Sequence, residues 1–110
     1  MSSDSPIQVI TTTETAEEAE RIAQDLLEKR LAACIQIVGP ITSRYWWKGK
    51  QETAQEWQCI AKTTAEHYRE VEETIRTLHS YDVPEIIALP ILKALPAYLD
   101  WLRDCLKARA

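Results

Sequence analysis

Nowhere does the sequence carry a C-x-x-C pair, a glycine-rich loop, or the run of about 18 apolar residues that a membrane helix needs. The N-terminal Met1-Ser2-Ser3-Asp4-Ser5-Pro6 lacks the basic-then-apolar order of a secretory leader. Neither membrane insertion nor export is therefore expected, and a cytoplasmic location is the default reading. Thirteen Lys and Arg stand against seventeen Asp and Glu, a net charge of −4, and the basic residues are scattered. Nucleic acid is excluded on this ground, because phosphate recognition draws on clustered positive charge. The three cysteines, Cys34, Cys59 and Cys105, are odd in number and far apart, which fits reduced thiols better than a disulfide framework. Imidazole is scarce as well: His67 and His79 are the only histidines.

What is present is one domain's worth of chain, 110 residues with 45% hydrophobic and 27% charged content, which is ordinary for a folded protein. Residues 1–6 are expected to fray, leaving a single domain over 7–110. A short strand is predicted over 7–12. Thr15 to Glu18 has capping-box spacing, in which the threonine hydroxyl and the glutamate carboxylate satisfy free amides at a helix start. The helix it opens is expected to run to about residue 31, burying Ala19, Ile22, Ala23, Leu26 and Leu27. Residues 33–45 read as one long strand bent at Gly39-Pro40. Lys48-Gly49-Lys50 forms the turn, and a second strand follows over 52–63. A helix over 65–78 carries Tyr68, Val71, Ile75 and Leu78 on one face. The continuous apolar run 86–91 reads as a buried strand, and Pro96 opens a last helix.

The order strand, helix, strand, strand, helix, strand, then an extra helix predicts an α+β ferredoxin-like sandwich of βαββαβ type. Its central hairpin is unusually long and carries Tyr45, Trp46, Trp47 and Trp57. An isolated subunit would leave these aromatics partly in water, so pairing between subunits is expected.

Several chemistries of this topology lack their residues. The first loop, Thr11-Thr12-Thr13-Glu14-Thr15, has no thiol for a soft-metal chaperone and no glycine or arginine for an anion cradle. His79 ends the second helix, where it could meet the helix dipole or hold a metal or proton. His67 reads as a solvated helix histidine. Cys34 reads as a small buried hydrophobe or, as the other option, a ligand. Tyr81, Asp82 and Glu85 crowd the loop before the last strand, either as exposed capping acids or as the lining of a site. Lys62 is either an edge lysine or the partner of Glu85 or Glu56 in a cavity shared between subunits. An enzyme using Lys62 and Glu85 as acid and base is the weakest reading, since no nucleophile and base pair stands at a motif spacing.

Five segments, in order and covering nearly the whole chain, carry a family resemblance. They are Leu31-Ala32-Ala33-Cys34-Ile35; Ile41-Thr42-Ser43 with Tyr45-Trp46-Trp47-Lys48-Gly49-Lys50; Lys62-Thr63; His79-Ser80-Tyr81-Asp82-Val83-Pro84-Glu85-Ile86 with Leu89-Pro90; and Tyr98-Leu99-Asp100-Trp101-Leu102. Together they resemble the CutA divalent-cation-tolerance family. The resemblance implies a homotrimer assembled much as the PII signalling proteins are, a non-enzymatic role, and binding of divalent cations, copper above all. Metal ligands would then be His79 and Cys34. The chain departs from the family pattern at Ser80, usually proline, and Asp82, usually glutamate. Members with assigned copper ligands use a cysteine and two adjacent histidines, at positions that match Thr11, Leu78 and His79 here. A PII-like role, with a small anion or partner protein in intersubunit clefts lined by Trp47, Lys62, Tyr81, Glu85 and Glu56, is the alternative.

Overall fold

The computed structural model describes residues 2–107. In it β1 (Pro6–Thr13) leads to α1 (Ala16–Glu28), then β2 (Cys34–Trp47), β3 (Lys50–Thr64), a 3₁₀ turn (Ala65–His67), α2 (Tyr68–Leu78), β4 (Ile86–Pro90) and α3 (Pro96–Cys105). The strands form one antiparallel sheet in the order β2-β3-β1-β4. The domain's last residues, 108–110, and Met1 lie outside the described part. The segment expected to fray is tied down where it is described: Ser3 and Ser5 carbonyls accept from the Glu66 and Ala65 amides, and Pro6 already faces Thr64.

Strand alternation divides the sheet into two faces. Ile7, Val9, Cys59 and Ala61 point at α1 and α2 and join Ala19, Ile22, Leu26, Val71 and Ile75 in the main core. Burial there pushes the Cys59 thiol up to about 12, with Glu20 adding to the effect, so it stays neutral and inert. The other face carries Ile10, Thr12, Glu56, Lys62 and Cys34, as their register shows. Leu102 of α3 and Leu106, the residue that caps its C-terminus, are also buried.

Helix α1 starts as expected on one side only. The Thr15 hydroxyl accepts from the Glu18 amide at 3.1 Å, but the Glu18 carboxylate turns away from the cap and bonds elsewhere, so the box is half made. The helix ends at Glu28, short of residue 31, because Arg30 takes a left-handed conformation (φ 55°). The Arg30 amide then reaches the Leu27 carbonyl and the Leu31 amide the Leu26 carbonyl, a Schellman closure. The helix expected over 65–78 is split, with His67 at the N-cap of α2 and its Nδ1 3.0 Å from the Thr64 hydroxyl.

The β2–β3 hairpin is as long as expected. Fifteen residues at about 3.3 Å each span roughly 50 Å, the scale of the molecule's longest dimension of 46 Å. Its two-residue turn, Lys48-Gly49, has positive φ at both positions (51° and 78°), as a type I′ turn requires. The bend at Gly39-Pro40 is a register shift between Val38 and Ile41. A Cβ on Gly39 would run into the Trp57 ring, so the bulge needs glycine there.

Two expectations of burial fail: Leu27, counted in the buried stripe of α1, is 43% exposed, and β4 is open. β4 is an edge strand, paired on one side with β1, and Ile87 and Leu89 are 44% and 43% exposed. A continuous apolar strand is buried only where both faces are covered, and a single subunit leaves this one open.

Candidate functional site: a cleft at the base of the hairpin

The site begins where α2 stops. His79 is the C-cap, with extended backbone (φ −78°, ψ 139°), and its side chain is fully buried. Its Nε2 lies 2.8 Å from the Thr12 carbonyl oxygen, and its Nδ1 accepts from the Tyr81 amide at 3.1 Å. A carbonyl only accepts and an amide only donates, so the proton sits on Nε2 and the ring is the neutral tautomer. Both nitrogens are committed. Next to it, Glu18 of α1 is 2% exposed and accepts from the Ser80 amide at 2.6 Å and the Ser80 hydroxyl at 3.1 Å. The start of the loop is thereby fastened to β1 and α1.

That fastening aims Tyr81. Its ring lies 4.9 Å from the His79 ring, and its hydroxyl donates to Glu56 Oε2 at 2.8 Å. Burial first, and then the bond to Glu56, push the Tyr81 hydroxyl above its ordinary range, so it stays a donor. Glu56 is 6% exposed. Around this pair opens a cleft of about 620 Å³, walled by Ser43, Arg44, Tyr45 and Trp47 of β2, floored by Thr12 and Glu56, and closed by loop residues Tyr81, Asp82, Val83 and Glu85. The lining holds three acidic residues, Glu56, Asp82 and Glu85, and one basic residue, Arg44. Trp47 also has the Lys48 ammonium 5.8 Å from its ring centroid, a cation–π contact made within the turn.

Five residues singled out from the sequence, Trp47, Glu56, Tyr81, Asp82 and Glu85, thus meet at one cleft. Lys62 does not. It lies six residues from Glu56 along β3, roughly 20 Å away at strand rise, and its ammonium donates to Gln36 Oε1 at 2.7 Å. Within one subunit Lys62 therefore does not pair with Glu56, which takes the Tyr81 hydroxyl instead.

His79 and Cys34 are not brought together either. Cys34 pairs with Lys62, level with Gln8, whereas the His79 ring sits on Thr12, about four residues or roughly 13 Å further along the sheet. Of the other positions that match family ligands, Thr11 has a buried hydroxyl without a partner among the described residues, and Leu78 packs against the core. No group of three or more His, Cys, Asp or Glu side chains among the described residues is placed to hold a metal. Metal binding through His79 and Cys34 does not fit this subunit.

Thr12, Ser43, Arg44, Tyr45 and Val83 were not singled out from the sequence. Ser43, Tyr45 and Trp47 alternate along β2 and pair with Ala54, Glu52 and Lys50, so period-two counting from Trp47 was enough to find two of them. Thr12 and Arg44 needed the register.

Residues 7–105 match the family model described as CutA1 divalent ion tolerance protein. The divalent-cation tolerance protein CutA of Archaeoglobus fulgidus is 48% identical over 93 residues, covering 84% of this chain and 90% of that one. Its counterpart in Thermus thermophilus is 45% identical over 96 residues, covering 87% and 93%. Among solved structures, the Archaeoglobus fulgidus protein, described as periplasmic, superposes with a TM-score of 0.90 at 44% identity and covers 93% of this chain and 99% of its own. CutA1 from Oryza sativa gives a TM-score of 0.91 at 38% identity, covering 96% of each chain.

Proposed function

Because this chain belongs to the CutA1 divalent ion tolerance protein family, we propose that it serves divalent-cation tolerance without catalysis, as a homotrimer of ferredoxin-like subunits assembled in the PII manner in the cytoplasm. The carrying observation is apolar surface that one subunit leaves bare. Trp46 is 69% exposed, Val38, Tyr45 and Trp47 between 42% and 48%, and the open edge strand β4 adds Ile87 and Leu89. Unpaired strand edges and apolar patches of this kind call for a partner, and a second copy of the chain supplies matching edges of β2 and β4. Light scattering on the purified protein tests this: a mass three times 12.6 kDa is expected, and a monomer at micromolar concentration overturns it.

The cleft is the ligand-facing part of each subunit in this reading. A small anion is disfavoured there by the three carboxylates against Arg44. Acid–base catalysis by Lys62 and Glu85 loses its geometry with Lys62 held at Gln36. The family is described by divalent-ion tolerance, so copper or another divalent cation is the ligand class in this reading, and the neutral, doubly bonded His79 is expected to contribute nothing to it. Calorimetric titration of copper into the wild type and His79→Ala checks this. Equal binding per folded subunit supports the structural role of His79, and lost binding restores it as a ligand. The cytoplasmic location rests on the three free thiols, and cell fractionation tests it against the periplasmic description of the Archaeoglobus protein.

A further inference from the structure

We propose that the cleft binds a small organic cation, an alkylammonium or guanidinium group seated on Glu56 between aromatic walls. The inference rests on the same cleft, needs no metal binding, and requires that Tyr45 and Trp47 keep one face toward the cleft when subunits assemble. Its starting point is an imbalance. Glu56 is 94% removed from solvent, yet it forms no ion pair among the described residues. One of its oxygens, Oε2, accepts from the Tyr81 hydroxyl, and Oε1 accepts from none of the described residues. Oε1 is nevertheless not sealed in, since the one fully enclosed side-chain atom without a partner among the described residues is the Thr11 hydroxyl. Glu56 lines the cleft, and its unpaired oxygen is the group we assign to a ligand there.

A buried carboxylate left without a cation is costly, and a ligand that brings one recovers that cost. The walls narrow the kind of cation. Tyr45, Trp47 and Tyr81 present aromatic surface, which attracts ammonium and guanidinium groups through the ring quadrupole. A divalent metal instead wants four to six donors converging on one point, and no three acidic, histidine or cysteine groups among the described residues do so. Asp82 and Glu85 at the rim add negative potential that draws cations in, and Ser43 and Thr12 offer hydroxyls for the remaining N–H groups. A cleft of 620 Å³ suits a compact molecule of this type.

The test is calorimetric titration of agmatine and putrescine, with magnesium and copper chlorides in parallel, into the protein after its oligomeric state has been fixed by light scattering. Saturable binding of an amine is expected, weakened about tenfold or more in Glu56→Gln. Trp47→Ala, a change at a half-exposed residue, should weaken it about 3- to 30-fold. Arg44→Gln should leave binding equal or tighter, because it removes the competing positive charge. No saturable amine binding, binding indifferent to both Glu56→Gln and Trp47→Ala, or a Glu56-dependent site that takes only the metal ions would each overturn the proposal. A monomeric protein that binds agmatine through Glu56 would sustain it while defeating the trimer.

Discussion

Two glutamates are buried in this protein, and their surroundings are opposite. Glu18, on α1, accepts from the Ser80 amide and hydroxyl through its two oxygens, and it sits in the first helical turn, where the helix dipole favours a negative charge. Glu56, on β3, has one neutral donor, Tyr81, no helix terminus and an oxygen that faces a cavity. They are linked by consecutive residues of one loop, Ser80 serving the first and Tyr81 the second. The difference separates a carboxylate that builds the fold from one that the fold leaves available. A buried charge is therefore read by counting what satisfies it, more than by how deep it lies.

The largest expected effect breaks the comparison outright. Glu18→Ala strips two charge-assisted hydrogen bonds and orphans the Ser80 amide, a loss of about 3 kcal/mol. Glu56→Ala should cost less than about 1 kcal/mol, since the Tyr81 hydroxyl can turn to water in the cleft. Urea unfolding of both variants measures the gap. Equal costs would mean that Glu56 is as structural as Glu18.

A second difference sets the closed face of the sheet against the cleft through alkaline pH. The Cys59 thiol is raised from 9.0 to about 12 by burial and by Glu20. Between those values the folded state holds a proton that the unfolded chain has lost. Stability is thus whole below pH 9 and falls as pH rises toward 12, by up to about 1.4 kcal/mol per pH unit for this one group. Tyr81 is raised as well and adds to the fall above its ordinary value of 10. In Cys59→Ala the decline should begin near pH 10 rather than 9, as read by thermal melts across the range. An unchanged onset would remove Cys59 as its cause.

Much of this was legible in the sequence because it is periodic. The stripes of α1 and α2, the alternation of β3 and the long β2–β3 hairpin follow from spacings of 3.6 and 2. The cleft was half legible: Tyr81 and Glu85 stand out in their loop, and Trp47 beside its turn. What failed was non-local. The distance between Lys62 and Glu56 follows from their six-residue spacing on β3, but which loop residue meets Glu56 does not, and only the fold brings Tyr81 to it. Glu18 has the spacing of a capping box, and only the fold brings Ser80, 62 residues on, close enough to compete for it. The exposure of β4 depends on whether another chain covers it, which no single-chain pattern encodes.

The smallest effects come from removing one hydroxyl at each glutamate, and they sharpen the comparison most. Ser80→Ala deletes the donor to Glu18 Oε1 and leaves that oxygen buried with nothing to accept, at about 1 to 2 kcal/mol. The backbone amide still holds Oε2, so the loop keeps its course. Tyr81→Phe deletes the donor to Glu56 Oε2, but the cleft admits water, and the cost should stay under about 1 kcal/mol. Ser80 supplies both donors to Glu18, its amide and its hydroxyl, so Ser80→Ala removes one and keeps the other. If the two costs come out reversed, the cleft is sealed by its surroundings and Tyr81, rather than Ser80, is the bond that fixes the loop.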